Sequence, residues 1–344
     1  MGIQSLFIYL TFKCNLKCEH CWAYSGPDVK EDELSLETIK RTIDEAYNMG
    51  MRSLKLTGGE PLVLKNYVTN IIDLVNNYGD VRLRMETNGI LLDDKMIKLL
   101  NDNNIYLSIS LHSSKAPKHD QIVGKEGAFD KVISVIPKIK NKEILVTISK
   151  KNMDELEDIL KLLSSIGANS VKFNILQTVG RGENLDRLTR PDMINIHKRI
   201  ENYTKENESM EIDTSAPMCT GLYSLNNFYY PKSSKGCNFG SVCCLTPGGN
   251  ISLCGWSKSK KDSELLLGNI ENEKLKDIWK RKELVVKKTE PLEGVCNNCL
   301  FLKLCKGGCR AIAYEVYGKL NAPDPICQVM YEEGEFPKSK LIAN

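Results

Sequence analysis

Residues Ser5–Cys21 read Ser-Leu-Phe-Ile-Tyr-Leu-Thr-Phe-Lys-Cys-Asn-Leu-Lys-Cys-Glu-His-Cys. The run Ser5–Phe12 is apolar, aromatic and of strand length, which predicts a buried strand. Three cysteines follow at once, Cys14, Cys18 and Cys21, and the next lies far downstream at Cys219. A buried strand that delivers reactive side chains at its carboxyl end points to a parallel α/β sheet, where sites form at that edge.

Working outward, the pattern repeats. Helix Leu36–Met49 carries apolar Leu36, Ile39, Ile43, Ala46 and Tyr47 at helical spacing. Then come strand Ser53–Thr57, helix Val63–Tyr78, strand Arg82–Glu86, helix Asp93–Leu100, strand Ile105–Ser110 and helix Phe129–Ile139. Strand Ile144–Ser149, helix Leu156–Ile166, strand Ser170–Ile175 and helix Pro191–Tyr203 complete six βα units. Six is fewer than the eight of a closed barrel, so a partial, TIM-like (β/α)6 barrel is expected. A small cysteine-rich domain follows it. A polar helix tail over 202–209 and a turn at Pro217 place the divide there, giving domains 1–210 and 211–344.

Composition narrows the class. The chain has 344 residues, 42% hydrophobic and 26% charged, ordinary for a soluble globular protein and against disorder or coiled coil. A net charge of +3 is too small to imply nucleic acid or an acidic membrane as partner. No apolar run approaches the ~18 residues of a membrane span, and Met1–Phe12 lacks the basic start of a signal peptide. A cytoplasmic location is expected. The anomaly is thirteen cysteines, an odd number in a chain longer than disulfide-stapled secreted domains.

Their spacing carries chemistry. Thiolates at Cys14, Cys18 and Cys21 can hold three corners of a cubane cluster and leave the fourth iron without a protein ligand. Structural zinc takes four ligands, and no fourth partner lies nearby. The second strand ends in Gly58-Gly59-Glu60-Pro61, where two residues without Cβ let backbone approach a ligand closely. Polar residues close the later strands at Asn88, Ser110, His112 and Ser149. His112 in the cleft reads as a structural hydrogen-bonding residue.

The cysteine loop and the GGEP segment together resemble the radical S-adenosylmethionine (SAM) superfamily. The resemblance implies a [4Fe–4S] cluster on Cys14, Cys18 and Cys21 whose open iron chelates S-adenosylmethionine. Reductive cleavage then yields a 5′-deoxyadenosyl radical that abstracts hydrogen from a substrate. It further implies that Gly58, Gly59 and Glu60 hold the methionine amino group. Ser110 foremost, with Asn88 and Ser149, would surround the ribose and carboxylate, and His20 would stack on the adenine.

The downstream cysteines are equally ordered. Cys237-x11-Gly249-x4-Cys254 precedes Cys296-x2-Cys299-x5-Cys305-x3-Cys309, and Cys327 closes the set. This resembles the SPASM extension, which implies two auxiliary [4Fe–4S] clusters and three in all. Carried over, Cys237, Cys243, Cys254 and Cys309 hold auxiliary cluster I; Cys296, Cys299, Cys305 and Cys327 hold auxiliary cluster II. Cys244 adjoins Cys243, and on a strand the two point to opposite faces, so one of the pair ligates. The family spacing gives Cys243, leaving Cys244 and Cys219 as buried small hydrophobes.

An iron–sulfur electron carrier would not need the barrel and its GGEP segment, and a zinc module would not need an open three-thiol site. The stretches Lys306–Tyr314 and Ala322–Cys327 resemble the ends of enzymes that modify ribosomal peptides and of those that tailor haem precursors. Modification of a ribosomally made peptide (cross-link, thioether or epimer) is the expected activity, with haem-precursor or other small-molecule tailoring as the alternative. Sulfatase-maturating activity is disfavoured, because Gly255 and Trp256 follow Cys254 where those enzymes carry an aspartate. The expected partners are a precursor peptide and a flavodoxin- or ferredoxin-type electron donor. Since the chain starts at strand one, a peptide substrate is expected to be recognised by the barrel mouth, the SPASM domain or a separate leader-binding protein. The lysines of a basic helix over Leu275–Val286 read as a solvated surface.

Overall fold

Alternation along the first strand sets the architecture. In β1 (Ser5–Tyr9), Leu6 and Ile8 are fully buried among helix side chains, while Phe7 and Tyr9 take the other face. The computed structural model describes residues 2–30, 33–207, 209–215, 239–255 and 263–342. Next to β1 lie β2 (Ser53–Thr57), β3 (Arg82–Thr87), β4 (Tyr106–Ser110), β5 (Lys142–Ile148), β6 (Ser170–Ile175) and β7 (Glu211–Thr214), each parallel to its neighbour. The connecting helices are α1 (Leu36–Asn48), α2 (Lys65–Asn76), α3 (Asp94–Asp102), α4 (Ala116–Val123), α5 (Ala128–Val135), α6 (Leu156–Ser165) and α7 (Arg190–Glu206). Local chemistry starts them: Ser35 and Asp93 accept backbone N–H groups at the first turns of α1 and α3, and Thr189 and Asp192 form a capping box on α7.

Among the described residues the sheet has ten strands. On the free side of β1 it continues with β8 (Val242–Leu245), parallel to β1, then antiparallel β9 (Asn250–Ser252) and β10 (Leu266–Asn269). The cysteine-rich segment thus extends the barrel's own sheet. β7 begins at Glu211 and pairs with β6.

One face of the sheet is apolar and one is polar. Leu54, Leu56, Met85, Leu107, Ile109, Ile144, Val146, Val171 and Phe173 face the helices and form the core. Tyr9, Lys55, Thr57, Glu86, Ser110, Thr147, Lys172 and Asn174 occupy the alternate positions and line a cavity instead. A closed barrel fills its interior with branched apolar side chains. This one keeps a charged interior, with Glu86 held by Lys55 at 2.9 Å and by Thr57 at 2.9 Å.

Three elements depart from the sequence reading. β1 stops at Tyr9, because Leu10 and Thr11 leave the ladder to bond with the end of β2. Helix α4 arises in a polar stretch with little apolar periodicity, started by Pro117 and ended by Gly124 in the left-handed region. The single helix expected over Leu275–Val286 is two, Leu275–Lys280 and Lys282–Lys287. Its lysines are not all solvated: Lys282 is buried, donates to the Gly240 carbonyl at 3.1 Å and lies over the Trp279 ring.

Candidate functional site

The cysteine loop is held by backbone from two other strand ends. Gly59 N donates to Thr11 O at 2.6 Å and Glu60 N to Lys13 O at 3.0 Å. A Cβ on Gly58 would lie 2.2 Å from Thr11 O, and one on Gly59 would lie 2.2 Å from Lys13 O. The glycine pair therefore serves close approach to the cysteine loop itself. From the other side, Arg181 Nε donates to Cys18 O at 2.7 Å, Nη2 to Ser25 O at 2.8 Å, and its own N–H to Cys21 O at 3.0 Å.

The three thiols and their surroundings line a cavity of about 710 Å3. Burial pushes the Cys14 thiol up to about 11 and Cys18 higher still, with Asn88 and Arg181 respectively opposing the shift. Asn88 Nδ2 reaches Cys14 Sγ at 3.7 Å and Asn15 Oδ1 at 2.8 Å. Two buried polar atoms of this loop, Asn15 Nδ2 and Ser25 Oγ, have no hydrogen-bond partner. Three thiols with unspent polar groups beside them suit a cluster and a polar cofactor.

Of the polar strand-end residues, Asn88 and Ser110 line the cavity, as do His20, Gly58 and Gly59; Glu60 and Ser149 do not. Glu60 turns inward and ties the strand ends together, accepting from Thr87 Oγ1 at 2.8 Å, Asn88 N at 2.8 Å and Leu62 N at 3.0 Å. Burial raises its carboxyl to about 7 against these bonds. Ser149 is spent on Asn152, whose Oδ1 accepts from Ser149 N at 2.8 Å.

Three imidazoles form one wall. His20 meets His112 edge-on with centroids 4.5 Å apart, and His112 lies 5.9 Å from His119. His112 Nδ1 accepts from Thr147 N, and His119 Nδ1 accepts from His112 N, both at 3.1 Å. Burial lowers His20 and His119 to about 4 and His112 further, so the wall is uncharged. The structural role expected of His112 is what its hydrogen bonds describe. Sequence reasoning missed His119, Asn152 and the clamping role of Arg181, because their partners are remote in sequence.

The far end of the same cavity is lined by Cys305, Gly308, Cys309, Ile312 and Asp324. Beyond it, Cys296, Cys299, Cys305 and Cys327 surround a second, smaller cavity with Phe301 and Phe336. These are the four cysteines expected for auxiliary cluster II. Asp324 N donates to Cys296 Sγ at 3.4 Å, a bond suited to a thiolate. Among the described residues, no three His, Cys, Asp or Glu side chains are placed to hold a metal ion. Thiols spread around a cavity suit a multi-iron cluster, whose ligands bind separate corners.

The remaining set is only partly described. Cys237 and Cys219 lie outside the described residues. Cys243 pairs with Leu6 and Cys244 with Phe7 across the β1–β8 ladder. Cys243 thus faces the apolar layer under the helices, and Cys244 packs with Tyr9, Phe12 and Trp22. The expectation for Cys243 meets the pleat of the strand: its side chain is turned away from the face where Tyr9 lines the cavity. Cys244 and Cys254 are instead the thiols that, after burial itself, push the Tyr9 phenol up.

A partial α/β barrel with three thiols above its strand ends, joined to a cysteine-rich extension through one cavity, defines a barrel enzyme of iron–sulfur type. Comparison with known proteins agrees. Residues 8–163 match the model of the radical SAM superfamily, and residues 237–300 match that of the SPASM iron–sulfur cluster-binding domain. The chain carries a radical SAM domain and a SPASM domain, and is an enzyme that uses S-adenosylmethionine and iron–sulfur clusters. It is 29% identical to the AdoMet-dependent heme synthase of Methanosarcina barkeri, over 95% of this chain and 96% of that protein. It is 28% identical to the mycofactocin maturase MftC of Mycolicibacterium smegmatis, over 92% of this chain and 81% of the relative. Among solved structures, Streptococcus suis SuiB bound to S-adenosylmethionine superposes with a TM-score of 0.77 at 17% identity, covering 95% of this chain and 77% of SuiB. Among the described residues, no helix is long and apolar enough to cross a membrane.

Proposed function

We propose that this enzyme modifies a side chain or backbone position of a ribosomally made precursor peptide. Cys14, Cys18 and Cys21 would hold the radical cluster; Cys296, Cys299, Cys305 and Cys327 would hold auxiliary cluster II. Cys254 and Cys309 belong to auxiliary cluster I, with Cys237 from the family spacing and Cys244 as the fourth thiolate. When bound, the radical cluster and S-adenosylmethionine supply the hydrogen-abstracting chemistry. The chain's own residues do the rest: Arg181, Gly58 and Gly59 fix the cysteine loop, and the neutral histidine wall with Asn88 and Ser110 encloses the cofactor. The proposed domains are 1–210 and 211–344, functionally joined by the shared cavity.

The observation that carries this reading is the single cavity that runs from Cys14, Cys18 and Cys21 to Cys305 and Cys309. At about 710 Å3 it has the size that suits one drug-sized molecule, roughly 300–1,000 Å3. MftC is named a maturase, and SuiB has been solved with its precursor peptide SuiA. A flavodoxin- or ferredoxin-type protein would deliver the electron, and a separate leader-binding protein would present the peptide.

A second reading is tailoring of a haem precursor, favoured by the end-to-end match to the heme synthase. Anaerobic turnover with S-adenosylmethionine and reductant separates the two. The peptide reading expects a mass change in a short peptide encoded beside this gene. A mass change in an iron–porphyrin substrate, with the peptides untouched, would establish the second reading instead.

A further inference from the structure

Tyr9 is the last residue of β1, and its ring lines the cavity next to Lys55, Thr57 and Glu86. Its hydroxyl reaches the segment that follows Cys254. A Cβ built on Gly255 would fall 1.6 Å from Tyr9 Oη and 2.1 Å from Cζ. The phenol thus fills the space that any side chain at position 255 would need, and glycine there is what admits it. Tyr9 also packs in one buried cluster with Cys244. Trp22 and Phe12 hold its ring from two sides, with centroids at 6.1 and 5.8 Å.

Few side chains could stand here. The ring is gripped by aromatic neighbours, and its one polar atom is delivered to the backbone beside a cysteine of auxiliary cluster I. Tyr9 also lines the cavity that holds Cys14, Cys18 and Cys21. We propose that Tyr9 is a positioning residue for auxiliary cluster I, its O–H acting as the hydrogen-bond donor to the Cys244–Cys254 thiolate pair from the cavity side. This rests on the reading of Cys244 and Cys254 as ligands of that cluster. Hydrogen bonds to cluster sulfurs are among the factors that set reduction potential, and a donor favours the more negative, reduced form. Tyr9 therefore holds this cluster at a higher potential than its thiolates alone would give, which suits a site that accepts an electron.

The test is a redox titration, followed by electron paramagnetic resonance, of protein loaded with iron and sulfide. Tyr9→Phe keeps the ring and its packing but removes the donor. The expected result is unchanged iron per chain, a shift of one auxiliary midpoint to more negative potential, and no movement of the other. Gly255→Ala evicts the hydroxyl while leaving the phenol in the chain, and should shift the same midpoint in the same direction. Unmoved midpoints in both variants at full iron content overturn the proposal. So does a loss of iron in Gly255→Ala paired with an unmoved midpoint in Tyr9→Phe, which would make the contact packing alone. A wild-type protein that takes up no auxiliary iron would fail the cluster reading instead.

Discussion

Arg181 Nε donates to the carbonyl oxygen of Cys18 at 2.7 Å, although 163 residues separate them in sequence. The same guanidinium holds Ser25 O at 2.8 Å, so one planar group grips both ends of the cysteine loop. A lysine keeps the charge but lacks the fork. Each lost bond to a charged donor costs about 1.5–3 kcal/mol, enough to let the loop open. Arg181→Lys is expected to lower 5′-deoxyadenosine formation about tenfold or more and to reduce iron bound at the radical site. Wild-type iron content and cleavage rate in this variant would show that the loop holds itself.

Gly59 presses on backbone rather than on a movable side chain. Its missing Cβ would lie 2.2 Å from Lys13 O and 2.7 Å from Phe12 O, neither of which can yield without moving the cysteine loop. Gly59→Ala should therefore behave like replacement of Cys14, Cys18 and Cys21 together by Ala. Both are expected to lose about four of about twelve irons per chain and to keep the auxiliary spectrum. Iron analysis with the visible spectrum checks this. Persistent 5′-deoxyadenosine production by the triple variant would refute the assignment of the three cysteines.

Glu60 makes the apoprotein's stability depend on pH in a stated direction. Burial raises its folded-state carboxyl from 4.5 to about 7, so the native state binds the extra proton between those values. Stability then falls as pH rises through that window, by roughly 3 kcal/mol at most. Glu60→Gln removes the titration and leaves one acceptor oxygen for three donors, at a cost of about 1–3 kcal/mol at every pH. The buried His20, His112 and His119, whose protonation is disfavoured, raise stability with pH in both proteins. Urea denaturation at pH 5 and pH 8 should therefore show a less favourable change from pH 5 to pH 8 in wild type than in Glu60→Gln. Equal slopes in the two proteins would locate the pH dependence elsewhere.

What the sequence made legible was what periodicity and spacing encode. β2 and β6 fall where their alternating apolar residues place them, and Cys296, Cys299, Cys305 and Cys327 meet around one cavity. Contacts made across the fold were not legible. Arg181 reads as a loop residue until β6 carries it over Cys18, and Asn152 reads as a turn until its Nδ2 joins His112 O to Thr147 O. Glu60 reads as a cofactor ligand until Thr87 and Asn88 claim its oxygens. Spacing names a residue's neighbours along the chain, and only packing decides which way its side chain turns.

The pair Cys243–Cys244 is the sharpest case, and iron counting decides it. Family spacing selects Cys243, but the parallel ladder sets Cys243 opposite Leu6 and Cys244 opposite Phe7. Since successive residues of a strand face opposite sides, the two thiols cannot serve one cluster from β8. Both are fully buried, and burial pushes both thiols upward. Their surroundings differ: Cys243 lies in the apolar layer with Lys282 as its charged neighbour, and Cys244 lies with Tyr9 on the cavity face. Replacing Cys243 by Ala then removes one buried sulfur and costs packing, about 1–2 kcal/mol for so small a cavity, with the iron content intact. Replacing Cys244 by Ala opens one corner of auxiliary cluster I, and up to about four irons per chain are lost or the cluster's paramagnetic signal changes. Parallel purification of both variants, with iron analysis and electron paramagnetic resonance of the reduced proteins, reads the difference directly. Iron loss confined to Cys243→Ala would return the ligand to the position that spacing selects and would require β8 to shift its register by one residue when the cluster binds.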